Sequence, residues 1–261
     1  MKIKLGSMTF GEILDRGIKM LLSRLPTFFA IGFVLMLPVL AIQLLQPQLQ
    51  SAAGLATSLI VLVVTIIFSF VYSGAVVDVI AKDYLGKPVS VGSAISYAFK
   101  RFGDLFVTAI LAGLVIGLGF LLLIVPGIIF AIWFVFVTQV VMVEGMGGSK
   151  ALSRSKSLTE GHRGRIFGIL FVMGLLLGLI NFGLTLGLAT ILPVQEIMRT
   201  PMGLVGGPIN YTNFCITVFI QYLLTIVFSS FQSICVTLMY FDLRVRKEAY
   251  DLEVLATQTS E

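Results

Sequence analysis

Residues 119–145 read GFLLLIVPGIIFAIWFVFVTQVVMVEG, and the reading of this stretch decides the fold. It lies within a run of 39 residues, Leu105 to Val143, that holds no charged side chain. As one helix that run would be roughly 58 Å long at about 1.5 Å per residue. The hydrocarbon core of a bilayer is only about 30 Å thick. Proline presets φ for the second position of a turn, and glycine accepts positive φ at the third. The sequence therefore predicts a tight turn at Pro126 and Gly127 between two antiparallel spans, 105–125 and 128–143. The tip has no polar side chain, so it is expected to sit shallow in the far leaflet or against neighbouring helices.

Composition supports a membrane setting. The chain is 57% hydrophobic and 12% charged, against about 25% charged in soluble domains. Further apolar runs at 25–45, 55–77, 166–192 and 214–240 bring the expected spans to six. The net charge of +5 is not gathered in one soluble module, so no nucleic-acid partner is expected. With six spans, the N-terminus, loops 78–104 and 144–165, and the tail 244–261 share one side. That side holds 17 of the 18 Lys and Arg residues, Arg199 being opposite. The positive-inside rule makes it the cytoplasm. One span over 105–143 would instead export Lys150, Arg154, Lys156, Arg163 and Arg165. The expectation is a multi-pass protein of a prokaryotic cytoplasmic membrane with both termini cytoplasmic. The opening MKIKLGSMTFGEILDRGIKMLLSR has no apolar core ahead of its charges, so no cleavable signal is expected. The outer connections are QPQLQSAAG, the Pro-Gly turn, and 193–213, whose prolines and glycines predict an irregular cap.

A pattern recurs three times on the charged side. TFGEILDRGIKML (9–21), SVGSAISYAFKRF (90–102) and GGSKALSRSKSLT (147–159) each set small or apolar residues at i, i+3, i+4, i+7 and i+11. That spacing makes one face of an amphipathic helix. Thr9 with Glu12 forms a capping box, and Ser90 and Gly147 are acceptable N-caps. The expected fold is an all-α polytopic membrane protein of six transmembrane helices in three hairpins. A cytoplasmic interfacial amphipathic helix (9–22, 90–102 or 147–159) precedes each hairpin, within a single membrane domain, 1–243.

The candidate sites follow from that frame. Arg16, Lys19, Lys100, Arg101, Arg154 and Lys156 lie on the polar faces of the three helices, where they could meet anionic lipid headgroups. The plainer reading is an ordinary positive-inside signature. Gly113 and Gly117, Gly174 and Gly178, and Gly183 and Gly187 are GxxxG pairs that suit helix packing within the chain, or a homo-oligomer face. Glu144 closes span four ahead of a basic helix, and a local ion pair with Arg154 is its simplest use. No ionisable residue sits at mid-span, which disfavours proton coupling. The few polar groups there are Gln139, Asn181, Gln221, Gln232, Ser229, Ser230 and Ser233. They either hydrogen-bond across helices or line a cavity. Cys215 and Cys235 would lie about 30 Å apart on one helix, beyond disulfide reach, and both are expected to be buried. No catalytic motif, cofactor site or metal-ligand spacing is visible, and His162 is the only histidine.

LIVPGIIFAIWFVFVTQVVMVEGMGGSKALSRSKSLTEGH (122–162) resembles the glycerophosphoryl diester phosphodiesterase membrane-domain family. The matching residues are Pro126-Gly127, Val143-Glu144-Gly145, and Ala151-Leu152 through Ser155; FGEILDRGIKML resembles that family's opening helix. Some members are fused to a phosphodiesterase, a soluble domain not found in these residues. The resemblance implies a membrane module tied to lipid metabolism, without an activity of its own. A carrier or channel for a lipid-like or small apolar solute is the alternative.

Overall fold

The computed structural model describes residues 8–200 and 203–248; for 36, 45–57, 195–200 and 203–209 only the backbone is described. Six described stretches are long and apolar enough to cross a membrane: Phe10–Leu35, Ser58–Tyr84, Phe102–Leu122, Ile124–Glu144, Arg163–Ile191 and Tyr211–Glu248. The chain is a multi-pass membrane protein of helical architecture.

α1 (Phe10–Tyr84) starts at the capping box: the Glu12 N–H donates to Thr9 Oγ1 at 3.4 Å, and the Thr9 N–H donates to Glu12 Oε2 at 2.6 Å. It then runs on unbroken, so the expected interfacial helix 9–22 is the first part of the first span and not a separate element. Nothing between Leu22 and Leu25 stops a helix, and Pro26 does not end it. The expected loop 46–54 is helical as well. Yet α1 is not a straight rod. Arg24 Nε donates to Asp83 Oδ1 at 2.9 Å, although 59 residues would separate them by about 88 Å along an axis. Gly32 and Tyr72 both reach neighbouring turns of α8 (Tyr211–Glu248): the Tyr222 hydroxyl donates to the Gly32 carbonyl, and that of Tyr72 to the Ile226 carbonyl. The chain therefore reverses between Gly32 and Tyr72. Pro38 and Pro47 fall in that interval, and each removes a helical hydrogen bond.

α2 (Val91–Lys100) follows with Ser90 at its N-cap, and α3 (Phe102–Leu122) continues from it almost directly. The turn after α3 is at Leu123, which is extended, and not at Pro126-Gly127. α4 (Ile124–Trp133) begins at once, with Pro126 in its first turn, where a missing N–H costs nothing. Gly127 is helical. Its role is close approach: a Cβ there would lie 2.4 Å from the Phe120 ring, and one on Gly119 would lie 3.0 Å from the Gly127 backbone. The tip is uncovered; Leu121 is 82% and Val125 66% exposed.

Span four is not the short helix 128–143. It starts at Ile124, breaks after Trp133, resumes as one α-turn, α5 (Val137–Gln139), and closes as a π-helical turn, Val140–Glu144, ended by Gly145 at φ +70°. Ser155 of α6 (Gly148–Thr159) spans the break: its hydroxyl donates to the Trp133 carbonyl at 2.7 Å and accepts from the Phe136 N–H at 3.2 Å. α7 (Arg163–Ile191) leads to an antiparallel ribbon, β1 (Gln195–Thr200) and β2 (Gly203–Ile209), where an irregular cap was expected. α8 passes the expected domain end at 243 and runs to Glu248; the rest of the tail lies outside the described residues.

The buried core gathers at the end of the bundle that carries the charges. Ile13, Ile80, Ala98, Phe136, Val140, Ala151, Leu158, Ile166 and Tyr240 are all buried there. The far half leaves apolar side chains such as Leu114, Leu118, Leu179 and Phe182 exposed, as a lipid-facing surface does.

Candidate functional site

Three ionic groupings lock the charged end. Glu144, its side chain 8% exposed, accepts from Arg154 Nε at 2.7 Å and from the Tyr240 hydroxyl at 2.7 Å. Arg154 also pairs with Glu248 at 2.6 Å, and Arg244 donates to Glu248 at 3.0 Å. Two acids and two bases thus tie the end of span four to α6 and α8. The hydrogen bonds to Glu248 and then Glu144 push the Arg154 pKa up against the opposing effect of burial, so it stays charged. In the second grouping, Asp242 is 1% exposed and accepts from the Met8 N–H (2.6 Å), Arg165 (2.7 Å) and Arg246 (3.1 Å). The Met8 carbonyl in turn accepts from Arg165 and Arg246. In the third, Arg101 donates to Asp104 (3.2 Å) and to the Gly145 carbonyl (3.1 Å), over the Tyr97 ring. Gly147 lies so close that a Cβ would sit 2.5 Å from Asp104 Oδ1.

The six cations singled out by the sequence are therefore not equivalent. Arg101 and Arg154 are structural partners inside these groupings. Lys19 pairs with exposed Asp15 at 2.7 Å, and Arg16 interacts with Glu12. Lys100 is exposed on α2. Lys156 stands apart: its ammonium is 4.3 Å from the centroid of Trp133, the only tryptophan, and the Arg163 guanidinium is 5.0 Å from the same ring. Trp133 Nε1, Arg163 Nε and His162 Nδ1 are buried with no partner among the described residues. The nearest acid is Glu160, 3.8 Å from Arg163 and 70% exposed. This corner of the charged end sets two cations against one exposed acid, and the Trp133 and Arg163 N–H groups have no acceptor among the described residues.

Two cavities lie deeper. One of about 510 Å³ runs beside α7, with Gly174, Gly178, Asn181 and Phe228 in its wall. The other, about 340 Å³, is polar, with Ser73, Thr138, Gln139 and Ser233. Val135 and Gln232 line both. Packing within the chain is not seen at the expected glycines: among the described residues a Cβ on Gly113, Gly117, Gly174, Gly178, Gly183 or Gly187 would meet nothing within 4 Å. The glycines that do permit close approach are others, among them Gly17 against Cys235 and Phe231, Gly32 against Ile226, and Gly74 against Leu105. Asn181 accepts from Thr185, and Gln221 donates to Thr185 at 3.0 Å, so part of the polar set does bond across helices. Cys235 is buried as expected, whereas Cys215 is exposed; both are free.

Residues 75–243 match the family described as Domain of unknown function (DUF7847). The chain belongs to that family. No curated protein and no solved structure matches the chain. Within the DUF7847 region lie Trp133, Glu144, Ser155, Lys156, Arg163 and Asp242, hence all three ionic groupings except Met8 and the helix end at Arg244 to Glu248. Sequence reasoning missed Arg163 and Trp133 as a pair. The available signal was a lone tryptophan in a chain of six spans, since tryptophan favours membrane interfaces.

Proposed function

We propose that this DUF7847 chain is a membrane protein without catalytic activity that associates with anionic lipid at the cytoplasmic membrane of a prokaryote. Its spans form three hairpins, and the charged end with both termini faces the cytoplasm. α2, α6 and the start of α1 lie at that interface. The carrying observation is the Trp133 corner: Lys156 and Arg163 share one indole ring, and Trp133 Nε1–H and Arg163 Nε–H have no acceptor. A lipid phosphate meets the exposed Lys156 ammonium and the outer nitrogens of the half-exposed Arg163 guanidinium, from which its oxygens accept charge-assisted hydrogen bonds. The resemblance of 122–162 to glycerophosphodiesterase membrane domains points toward lipid too.

The test compares lipid retained by the detergent-purified protein and by a Lys156→Gln/Arg163→Gln variant, using native mass spectrometry with phosphatidylglycerol and phosphatidylcholine. Two charges at about 1 kcal/mol each predict a loss of roughly tenfold or more for phosphatidylglycerol, and little change for phosphatidylcholine. Undiminished phosphatidylglycerol retention in the variant would remove the proposal. A second reading, passage of a lipid-like or small apolar solute, is favoured by the cavities beside Asn181 and Gln232.

A further inference from the structure

Every fourth residue of α8 from Asn213 to Thr237 is polar: Asn, Thr, Gln, Thr, Ser, Ser and Thr in turn. The interval holds only two further Asn, Gln, Ser or Thr residues, Ser230 and Gln232. Residues four apart form one ridge of a helix, slightly inclined to its axis. From residue 213 to 237 that ridge is about 36 Å long, against about 30 Å for the hydrocarbon core of a bilayer.

The plain use of such groups is hydrogen bonding between helices. It accounts for the ends of the ridge and not for its middle. Thr237 is buried and accepts from Gln139 Nε2 at 3.4 Å; Gln139 Oε1 is itself buried without a partner among the described residues, so this end is closed. Toward the other end, Gln221 donates to Thr185 of α7 at 3.0 Å, Thr217 Oγ1 is buried, and Asn213 donates to the Pro193 carbonyl at 3.0 Å. In the middle, Thr225, Ser229 and Ser233 line the smaller cavity, together with Ser69 and Ser73 of α1 and Thr138 of α5. The Thr225 and Ser229 hydroxyls donate back to α8 carbonyls, at 2.8 and 2.5 Å, which leaves their oxygens as acceptors. Those of Ser69, Ser73, Thr138 and Ser233 have no partner among the described residues and are not sealed from the cavity. They are free to donate and to accept.

The position of this trough restricts its use. Thr225 and Gln232 are exposed, about 25 and 15 Å along α8 from Asp242 at the charged end. Exposure at that depth means the trough opens sideways, toward lipid. From Gln221 to Ser233 it extends about 18 Å, across the middle of the hydrocarbon. No Asp, Glu, Lys, Arg or His lines it among the described residues, so it does not select by charge. A polar group carried through hydrocarbon loses its hydrogen bonds at high cost. A side-open row of hydroxyls replaces those bonds for the polar part of a molecule while the apolar part stays in the bilayer. A lipid is divided in that way.

We infer that the middle of the α8 ridge, with the hydroxyls facing it from α1 and α5, is a track along which lipid headgroups cross between leaflets. The inference rests on the second reading above and names its solute as a lipid with an intact headgroup. Zwitterionic and anionic headgroups are both accepted, and the lipid gradient alone sets the direction. Lys156 and Arg163 take no part in the track.

The purified chain is reconstituted in phosphatidylcholine vesicles that carry a trace of phosphatidylcholine or phosphatidylglycerol with a fluorescent NBD group on one acyl chain. Dithionite then bleaches the probe in the outer leaflet. With the protein, bleaching should run on into the inner-leaflet pool at similar rates for both probes, and in protein-free vesicles it should stop at the outer pool. Thr225→Leu/Ser229→Leu/Ser233→Leu should slow both probes about tenfold or more. Thr225→Leu/Gln232→Leu, which changes only exposed residues, should slow them in the same direction and serves if the triple variant does not fold. Thr225→Ser should keep the parent rate. Lys156→Gln/Arg163→Gln should keep the phosphatidylcholine rate, which separates the track from the Trp133 corner. An inner-leaflet pool that stays protected overturns both the inference and the second reading. Transfer that survives unchanged in the folded leucine variants overturns the inference alone. So does a leucine variant that keeps the parent rate but changes oligomeric size, because the ridge is then a contact between copies.

Discussion

Asp242 shows how much one residue carries at the charged end. Its carboxylate is 1% exposed and holds the Met8 N–H, Arg165 of α7 and Arg246 of α8 together. Removing one member of a buried pair leaves the other charge unsatisfied, which costs about 3–5 kcal/mol for full burial. Arg165 and Arg246 are each about one third exposed, at 30% and 33%, so water recovers part of that. Asp242→Ala is expected to cost roughly 2–4 kcal/mol, read as a lowered unfolding midpoint in detergent. Asp15→Ala removes a pair whose side chains are 61% and 56% exposed, and it should stay within about 0.5 kcal/mol of the parent. Equal losses in the two variants would show that Asp242 is no keystone. The sequence shows locally only the i,i+4 partner Arg246; the other two partners of Asp242, Arg165 and Met8, are 77 and 234 positions away.

Between elements, the decisive feature is the broken fourth span and the serine that repairs it. A break inside an apolar helix frees a carbonyl and an N–H that have no water to turn to. Ser155 satisfies both, at Trp133 and Phe136. Ser155→Ala keeps the volume and strands the two groups, so a loss of about 1–3 kcal/mol is expected in the unfolding midpoint. Ser155→Cys, a poorer hydrogen-bonder, should lie between them, and a Ser155→Ala variant as stable as the parent would show that the groups find other partners. What was legible followed locality. The Thr9–Glu12 capping box and the starts of α2 and α6 rest on residues a few positions apart, and the sequence shows them. Pro126 and Gly127 are genuine markers of the reversal, but two better uses displaced them from its tip. Pro126 fits the first turn of α4, and Gly127 is needed against Phe120, so Leu123 makes the turn. The Trp133 corner and the unpaired acceptor of Gln139 depend on contacts between separate helices, which no spacing rule reaches. At the GxxxG pairs small residues make close approach available, but no neighbour among the described residues of the chain takes it up.

At the scale of the whole molecule, orientation is the property that the headgroup proposal requires. The Trp133 corner can meet cytoplasmic-leaflet headgroups only if the charged end faces inward. The charge distribution argues for that: 17 of 18 Lys and Arg residues lie in segments that six spans place together, and Arg199 alone lies in the ribbon between α7 and α8. The contacts agree on the grouping. Asp242 on α8 holds Met8 and Arg165, and Arg154 of α6 holds Glu144 and Glu248, so the start of the chain, both loops and the end of α8 meet in one place. A five-span arrangement would carry Lys150, Arg154, Lys156, Arg163, Arg165 and also Asp242 to the opposite face from Met8, and would break the bonds of Met8 with Asp242 and Arg165. Reporter fusions after residues 85, 160 and 248 should therefore all report cytoplasm, and one after residue 200 should report the outside. With the position of the N-terminus held fixed, the fusions after 160, 200 and 248 all change side between five and six spans, while the one after 85 does not. An external signal after residue 160 would put Arg165 and Asp242 across a bilayer from Met8 and overturn the arrangement of hairpins along with the headgroup proposal built on it.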